Sequence, residues 1–150
     1  MRAFLGLPLD QHTAGSIADW RDRNLPPFEK PVPIQNLHIT LVFLGEISQR
    51  QLQEIDRRLN SVSASAIDLR LDSLDYWPRP EISCLSASRV PPALHDLVAE
   101  LRLCMRRTGL RVEKRQYQPH VTLARRCVAA PPAALVQPDI SCRFEELDRK

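Results

Sequence analysis

Two histidines in the chain each begin a four-residue motif of the same pattern. His38 opens HITL and His120 opens HVTL, so Thr40 and Thr122 each follow a histidine by two positions. Alternate side chains of a β-strand lie on the same face, so each histidine would share a face with its threonine. Two imidazoles, each beside a hydroxyl, can supply a proton acceptor and a proton donor near neutral pH. Cleavage of a phosphodiester without a metal requires this pair of groups.

The residues around each motif must place it on a strand. The clearest strand pattern covers residues 37–44 and contains the first motif, and the second motif follows Pro119. The proline-rich stretch 25–33 is predicted to be an irregular loop, because proline removes a backbone donor and fixes its own φ angle. Further strands are predicted at 2–7, 67–71, 82–88 and 141–147, and helices at 10–23, 48–60 and 91–108.

The order of the predicted elements repeats along the chain. A strand and a helix precede each histidine strand in turn, and the motifs begin 82 residues apart (120 − 38) in a chain of 150. An internal duplication would produce such spacing. We therefore expect two similar lobes, each contributing one motif.

Composition indicates a small globular protein. The chain is 43% hydrophobic and 26% charged with a formal net charge of +3, which suits one folded domain and excludes a disordered chain. The basic excess is compatible with a polyanionic substrate. No apolar run approaches the roughly 20 residues that cross a bilayer, and the apolar stretch at the start is too short for a signal peptide. We expect a cytoplasmic protein that does not bind a membrane.

Cysteine and histidine spacing argues against a metal centre. No C-x-x-C pair occurs, and no tight group of His, Cys, Asp or Glu accompanies the motifs, so we expect no metal and no other cofactor. The cysteines are predicted to be reduced, buried apolar side chains. They are Cys84, Cys104, Cys127 and Cys142.

The flanks of both motifs resemble a known family. The run NLHITLVFLGE at 36–46, the opening RAF at 2–4 and the run PHVTLAR at 119–125 are similar to those of the 2H phosphoesterases, and within them to the bacterial RNA 2',3'-cyclic phosphodiesterase (2'-5' RNA ligase) family. The resemblance implies a single bilobal domain over residues 1–150 with an α+β fold. Two similar lobes of antiparallel sheet, with helices outside, would be related by a pseudo-twofold axis across an active-site cleft.

The resemblance also implies roles for the motif residues. His38 would be the proton donor to the leaving oxygen and His120 the proton acceptor from the attacking water, giving a 2'-phosphomonoester from a 2',3'-cyclic RNA end. Thr40 and Thr122 would hydrogen-bond the cyclic phosphate. The same pair could also join a 5'-hydroxyl to the cyclic phosphate, and the two histidines would exchange roles when that linkage is cleaved again.

A basic residue near the second motif is assigned in two ways. The resemblance places a phosphate-binding cation five residues after His120, at Arg125, whereas strict alternation puts Arg126 on the histidine face. We favour Arg125, which requires a bulge, a twist or the end of the strand, and keep Arg126 as the alternate.

Two other functions are compatible with the same residues. The chain could bind nucleotides or RNA ends with little or no turnover, although a binding module has no need of two titrating groups. It could also be a metal-dependent hydrolase that uses the two histidines, which would lose activity in chelator.

Aromatic and basic side chains near the motifs carry weaker signals. Phe43 has the strand parity of Ile39, which predicts a core position rather than base stacking. The arginines at 106–107 and 111–115 are typical of a solvated face but could guide an RNA backbone. Three aromatic side chains remain unassigned, namely Tyr76, Trp77 and Tyr117.

The last predicted strand lies near the end of the chain. The family usually continues beyond such a strand with a segment that returns to the sheet, whereas this sequence ends at Lys150, so we expect a domain short at its C-terminus. Its unpaired sheet edge would allow association. We expect a monomer, with edge pairing as the route to any oligomer.

Overall fold

The computed structural model describes residues 1–145 and shows eight strands and three helices within that range. The strands are β1 (Arg2–Pro8), β2 (Lys30–Pro31), β3 (His38–Glu46), β4 (Ile67–Leu71), β5 (Ser73–Trp77), β6 (Ile82–Ser86), β7 (His120–Arg125) and β8 (Ile140–Phe144). The helices are α1 (Gln11–Asn24), α2 (Gln49–Leu59) and α3 (Pro92–Arg107), with one 3₁₀ turn at Ile34–Asn36. None of the three helices in this described range is both long and apolar enough to cross a membrane.

Local chemistry explains where the helices begin. Helix α1 follows Asp10, whose carboxylate accepts a hydrogen bond from the Thr13 amide. Helix α2 begins with a capping box, in which Ser48 and Gln51 each bond the other's backbone amide. Helix α3 has proline in its first turn, where an amide donor is not needed.

The strands that carry the motifs lie side by side. The larger sheet has the order β1-β3-β7-β6-β5 with antiparallel pairing throughout, and β2 pairs with part of β7. Strands β4 and β8 form a separate two-stranded sheet. Strands β3 and β7 pair at a single position, Ile39 with Val121. The larger sheet therefore consists of two halves that meet at the motifs.

Each half contains the same unit, which confirms the α+β fold with two lobes. Strands β1 and β3 pair with helix α1 between them in the chain, and strands β6 and β7 pair with helix α3 between them. The helices cross over to the opposite half. Helix α3 packs against β3, whereas Arg21 of α1 donates to the carbonyl of Leu123 in β7 at 3.1 Å.

The core lies on the side of the sheet opposite the histidines. Ile39, Leu85 and Val121 come from three adjacent strands and are completely buried. Cys84, Cys127 and Cys142 are also buried, as predicted, and Cys104 is half-buried. Burial of this apolar face fixes the register of the strands, because a shift by one residue would expose it.

Two strands were not predicted, and the ends of most predicted elements differ from the observed ones by a few residues. Strand β5 lacks a clear alternation and is half-buried at all its positions, while β2 shows that the expected proline loop contains a short edge strand. Pro31 is tolerated there because only two residues pair, and edge positions do not require every donor. The strand expected at 82–88 ends at Ser86, and the one expected at 141–147 spans Ile140–Phe144. Residues 146–147 of that prediction lie outside the described residues.

Candidate active site

Both motifs lie on strands whose side chains alternate as predicted. His38 and Thr40 are half-buried while Ile39 is buried, and His120 and Thr122 repeat this pattern in β7. Each histidine thus shares a face with its threonine, and we call this side of the sheet the open face. Because Ile39 pairs antiparallel with Val121, His38 lies on the Thr122 side and Thr40 on the His120 side of that pair. The two histidines are therefore placed diagonally across the junction of the lobes.

Matching hydrogen bonds orient both imidazoles. Nδ1 of His38 lies 2.8 Å from the carbonyl oxygen of Asn36, and Nδ1 of His120 lies 3.0 Å from that of Gln118. A carbonyl oxygen only accepts, so each Nδ1 carries a proton and donates it, which assigns the tautomer. Each ring consequently presents Nε2 as its reactive atom. Nε2 of His38 lies 3.1 Å from Oγ1 of Thr40.

An aromatic ring contacts each histidine. The ring of Phe4 is stacked on His38 with centroids 4.7 Å apart and planes 21° apart. Trp77 packs against His120 at 4.2 Å with planes tilted by 52°. Both contacts restrict rotation of the two imidazole rings.

Burial gives His120 a different electrostatic environment. Desolvation lowers the pKa of His120 below its usual value, and the nearby charges of His38 and Arg125 lower it further. The hydrogen bond to Gln118 and the charge of Asp75 act in the opposite direction with smaller effect than burial. The net shift favours neutral imidazole near pH 7, with a lone pair on Nε2. A neutral, oriented imidazole is suited to accept a proton.

A bulge in β7 determines which arginine reaches the open face. Thr122 pairs with Cys84, but Ala124 pairs with Ser83, so Leu123 is the extra residue. Leu123 and Ala124 are both buried, and Arg125 then returns to the exposed side. A bulge of this kind re-aims the side chains that follow it.

Arg126 lies beyond the end of this strand. Its φ angle of 56° falls in the left-handed region, which breaks the extended backbone after Arg125. Of these two arginines, only Arg125 borders the groove next to His38, and only Arg125 lowers the pKa of His120. The geometry therefore favours Arg125 over the alternate.

The same bulge occurs in β3 and makes one prediction wrong. Thr40 pairs with Gly6 but Val42 pairs with Leu5, so one extra residue again follows the motif threonine. Phe43 is therefore on the open face and 52% exposed, not in the core. Strict alternation failed because two successive residues of the strand are buried. In the sequence, two consecutive apolar residues follow each motif threonine, and this departure from alternation could have predicted the bulge.

Phe43 and Phe4 form an aromatic surface next to His38. The two phenylalanines are paired across β1 and β3, and Phe4 is itself 48% exposed. The guanidinium carbon of Arg2 lies 5.4 Å from the centroid of the Phe43 ring. This surface extends the open face beyond the first motif.

The sequence analysis did not assign three further residues to the site. Ser86 pairs with His120, and its hydroxyl donates to the carboxylate of Asp75 in β5. The hydroxyl of Tyr117 donates to the carbonyl of Thr40 at 2.8 Å. Burial raises the pKa of Tyr117, so this hydroxyl remains a donor. Asp75 could not be found without β5, which the sequence pattern did not reveal.

We expect Asp75→Asn to change the pH dependence of catalysis. The carboxylate raises the pKa of His120, so its removal lowers that pKa further. The acidic limb of the kcat/KM profile, along which the proton acceptor becomes neutral, therefore moves to lower pH. Asp68→Asn, at an exposed carboxylate paired with Arg143 on the other sheet, serves as the control. An unmoved limb, or one displaced to higher pH, contradicts this effect.

A wide groove runs beside His38. Its volume is about 1020 Å³, and its lining includes His38, Lys30, Arg125 and the amide side chains of Gln35 and Asn36. Lys30 and Arg125 are cross-strand neighbours, so two cations border one wall. Among residues 1–145, no group of three or more His, Cys, Asp or Glu side chains is arranged to hold a metal ion.

The two arginines at the end of β7 can be distinguished by phosphate binding. Arg125→Ala is expected to weaken inorganic phosphate binding about tenfold, the loss of one charge-assisted contact. Arg126→Ala should leave the affinity within about twofold, since Arg126 lies past the end of the strand. Isothermal titration of the two folded variants measures the difference. The opposite ranking would assign the contact to Arg126.

Comparison with known proteins identifies the family. The profile of the 2'-5' RNA ligase superfamily matches residues 8–148. The chain is 31% identical over 125 residues to the RNA 2',3'-cyclic phosphodiesterase of Escherichia coli, covering 83% of this chain and 71% of that protein.

Solved structures show the same fold. A crystal structure of a phosphoesterase has a TM-score of 0.85 at 28% identity, over 97% of this chain and 83% of that one. Escherichia coli LigT complexed with 3'-AMP has a TM-score of 0.80 at 28% identity, over 94% of this chain and 83% of that one. With both histidine motifs in place on this fold, the chain belongs to the 2'-5' RNA ligase superfamily.

Proposed function

We propose that the chain hydrolyses 2',3'-cyclic phosphate ends of RNA to 2'-phosphomonoesters. The observation that carries this proposal is the pair of imidazoles that present Nε2 on one face in different environments. His120 is desolvated, which favours the neutral ring, while His38 is stacked on the ring of Phe4 with its Nε2 beside Oγ1 of Thr40. Relatives named RNA 2',3'-cyclic phosphodiesterase support the same reaction.

The proposed mechanism assigns one proton transfer to each histidine. Nε2 of His120 accepts a proton from water as the water oxygen forms a bond to phosphorus. The bond from phosphorus to the 3'-oxygen breaks, and Nε2–H of His38 donates a proton to that oxygen. The phosphate stays on the 2'-oxygen. A 5'-hydroxyl in place of water, deprotonated by His120 in the same sense, gives a 2'-5' linkage, and the two histidines exchange roles when that linkage is cleaved back to the cyclic phosphate.

The remaining candidates would bind the phosphate. The hydroxyls of Thr40 and Thr122 share the open face with the histidines and would donate to the nonbridging oxygens. Arg125 would neutralise the charge that develops on them. Oγ1 of Thr40 is close to Nε2 of His38, so a phosphate held by this threonine is within reach of the proton donor.

Product analysis tests the proposed function. An RNA oligonucleotide with a 2',3'-cyclic end is incubated with the protein, and the phosphate position in the product is determined by NMR. A 2'-phosphate is expected, and the rate should be unchanged in chelator. A 3'-phosphate contradicts the assignment of the leaving oxygen, and loss of activity in chelator contradicts the metal-free mechanism. Tight binding without product indicates a binding module.

We also propose that this chain acts as one bilobal domain, as a monomer in the cytoplasm. Both motifs lie on one continuous sheet, so no second subunit is needed to complete the pair of histidines. Light scattering at assay concentration tests the monomer, and a dimer whose dissociation abolishes activity would contradict it.

A further inference from the structure

Positive charge is concentrated in one stretch of the chain, residues 102–115, which we call the basic segment. It carries six cations and one carboxylate, a balance of +5, whereas the whole chain carries +3. The rest of the protein is therefore net negative. The cations are Arg102, Arg106, Arg107, Arg111, Lys114 and Arg115.

Most of these cations are available to a ligand. Arg106, Arg107, Arg111 and Lys114 are exposed. Among the described carboxylates, none forms an ion pair with any of these four side chains. Arg115 is also exposed but pairs with Glu113. Four neighbouring positive charges thus face solvent.

The backbone that presents these cations is held in place. Gly109 has a φ angle of 84° and turns the chain at the end of α3, as glycine commonly does. Leu110 and Val112 then pack against the core, which leaves Arg111 between them on the solvent side. Nη1 of Arg102 donates to the carbonyl of Arg115 at 2.8 Å. The backbone of this surface therefore need not be ordered at the moment a ligand binds.

The basic segment is continuous with the candidate active site. Tyr117 follows it by two residues and donates to the carbonyl of Thr40 in the first motif. His120, the first residue of β7, comes three residues later. The basic segment therefore ends five residues before His120 (120 − 115), next to a tyrosine that contacts the first motif.

We propose that the basic segment binds the phosphodiester backbone of the RNA strand whose cyclic end occupies the active site. This inference rests on the proposed function, because an RNA end on the open face brings the rest of its strand to an adjoining surface. A phosphodiester chain matches the row of cations, and its binding releases condensed counterions. A mononucleotide lacks the additional phosphates and gains nothing from these contacts.

The test compares long and short substrates in charge-reversal variants. Arg107→Glu with Arg111→Glu alters the basic segment, and Arg50→Glu with Arg57→Glu, at two exposed positions of α2, is the matched control. One substrate is a 2',3'-cyclic mononucleotide. The other is an oligoribonucleotide of about ten residues with the same end, a length typical of single-strand sites. kcat/KM is measured over a range of salt concentrations.

A selective effect on the long substrate is expected. The basic-segment variant should lose roughly tenfold in kcat/KM for the oligonucleotide, with a salt slope shallower by about 0.7 per lost phosphate contact. Its kcat/KM for the mononucleotide should stay within about twofold of the unaltered protein. Equal losses for both substrates, or the same loss in the α2 control, would overturn the proposal.

A binding measurement separates this inference from the proposed function. The same oligonucleotide with a 3'-phosphate is bound without turnover, so fluorescence anisotropy reports on the surface even if no hydrolysis occurs. Weaker binding by the basic-segment variant alone supports the inference, and unchanged binding contradicts it. Equally effective competition by polyglutamate of matched charge would instead assign the surface to acidic proteins.

Discussion

Replacing either His38 or His120 by alanine is expected to lower kcat for a 2',3'-cyclic end by roughly 10²–10⁴-fold, the usual size of acid–base effects. Both rings present Nε2 on the open face, and each is fixed through Nδ1 to a carbonyl two residues earlier. Alanine removes the proton-transfer group but leaves the backbone of the strand intact. Single-turnover kinetics with excess enzyme measures the effect on the chemical step.

Folding and a matched histidine provide the controls. Circular dichroism should show unaltered folding in both variants, because His38 and His120 are only half-buried. His95→Ala, at an exposed position of α3 beside Asp96, should retain full activity. Near-normal turnover in a folded variant of either motif would rule out the two-histidine mechanism.

Arg21→Met is expected to destabilise the protein by about 2–4 kcal/mol, the cost of leaving buried acceptors with fewer donors. Arg21 is 6% exposed, and its Nη1 donates to the carbonyls of Val32 at 2.8 Å and Leu123 at 3.1 Å. Methionine fills similar volume but supplies no donor. Urea denaturation measures the loss in the free energy of unfolding.

Two comparisons show whether the buried guanidinium is responsible. Arg23→Met removes an exposed arginine of the same helix, paired with Asp19, and should change the unfolding free energy little. Arg21→Lys should recover only part of the loss, because an ammonium lacks the planar fork of donors. Wild-type stability in Arg21→Met would show that other groups satisfy the two carbonyls.

The sequence predicted the structure best in strands whose side chains alternate between a buried and an open face. The motif strands alternate as predicted because Ile39 and Val121 are buried beneath the histidines and prevent a shift of register. The positions of α1, α2 and α3 also followed from caps, prolines and apolar spacing. Each of these signals lies within one short segment of the chain, so it can be recognised without knowing the tertiary contacts.

The disagreements arise where a partner strand decides the local geometry. The bulges in β3 and β7 place Phe43 and Arg125 on the open face, against the strict alternation of the sequence. A bulge depends on the pairing of two strands distant in the chain. Strand β5, which brings Trp77 against His120 and Asp75 against Ser86, was missed because none of its positions is fully buried.

The amino-acid sequence alone therefore determined the reacting groups, the strands that carry them and the family they resemble. Those properties reside in residue types and short spacings, which do not depend on distant contacts. Tertiary structure decided the diagonal placement of the histidines, the desolvation of His120 and the exposure of Arg125. These properties result from strand pairing and burial between distant segments, because packing sets both the electrostatic environment of a group and the direction of its side chain.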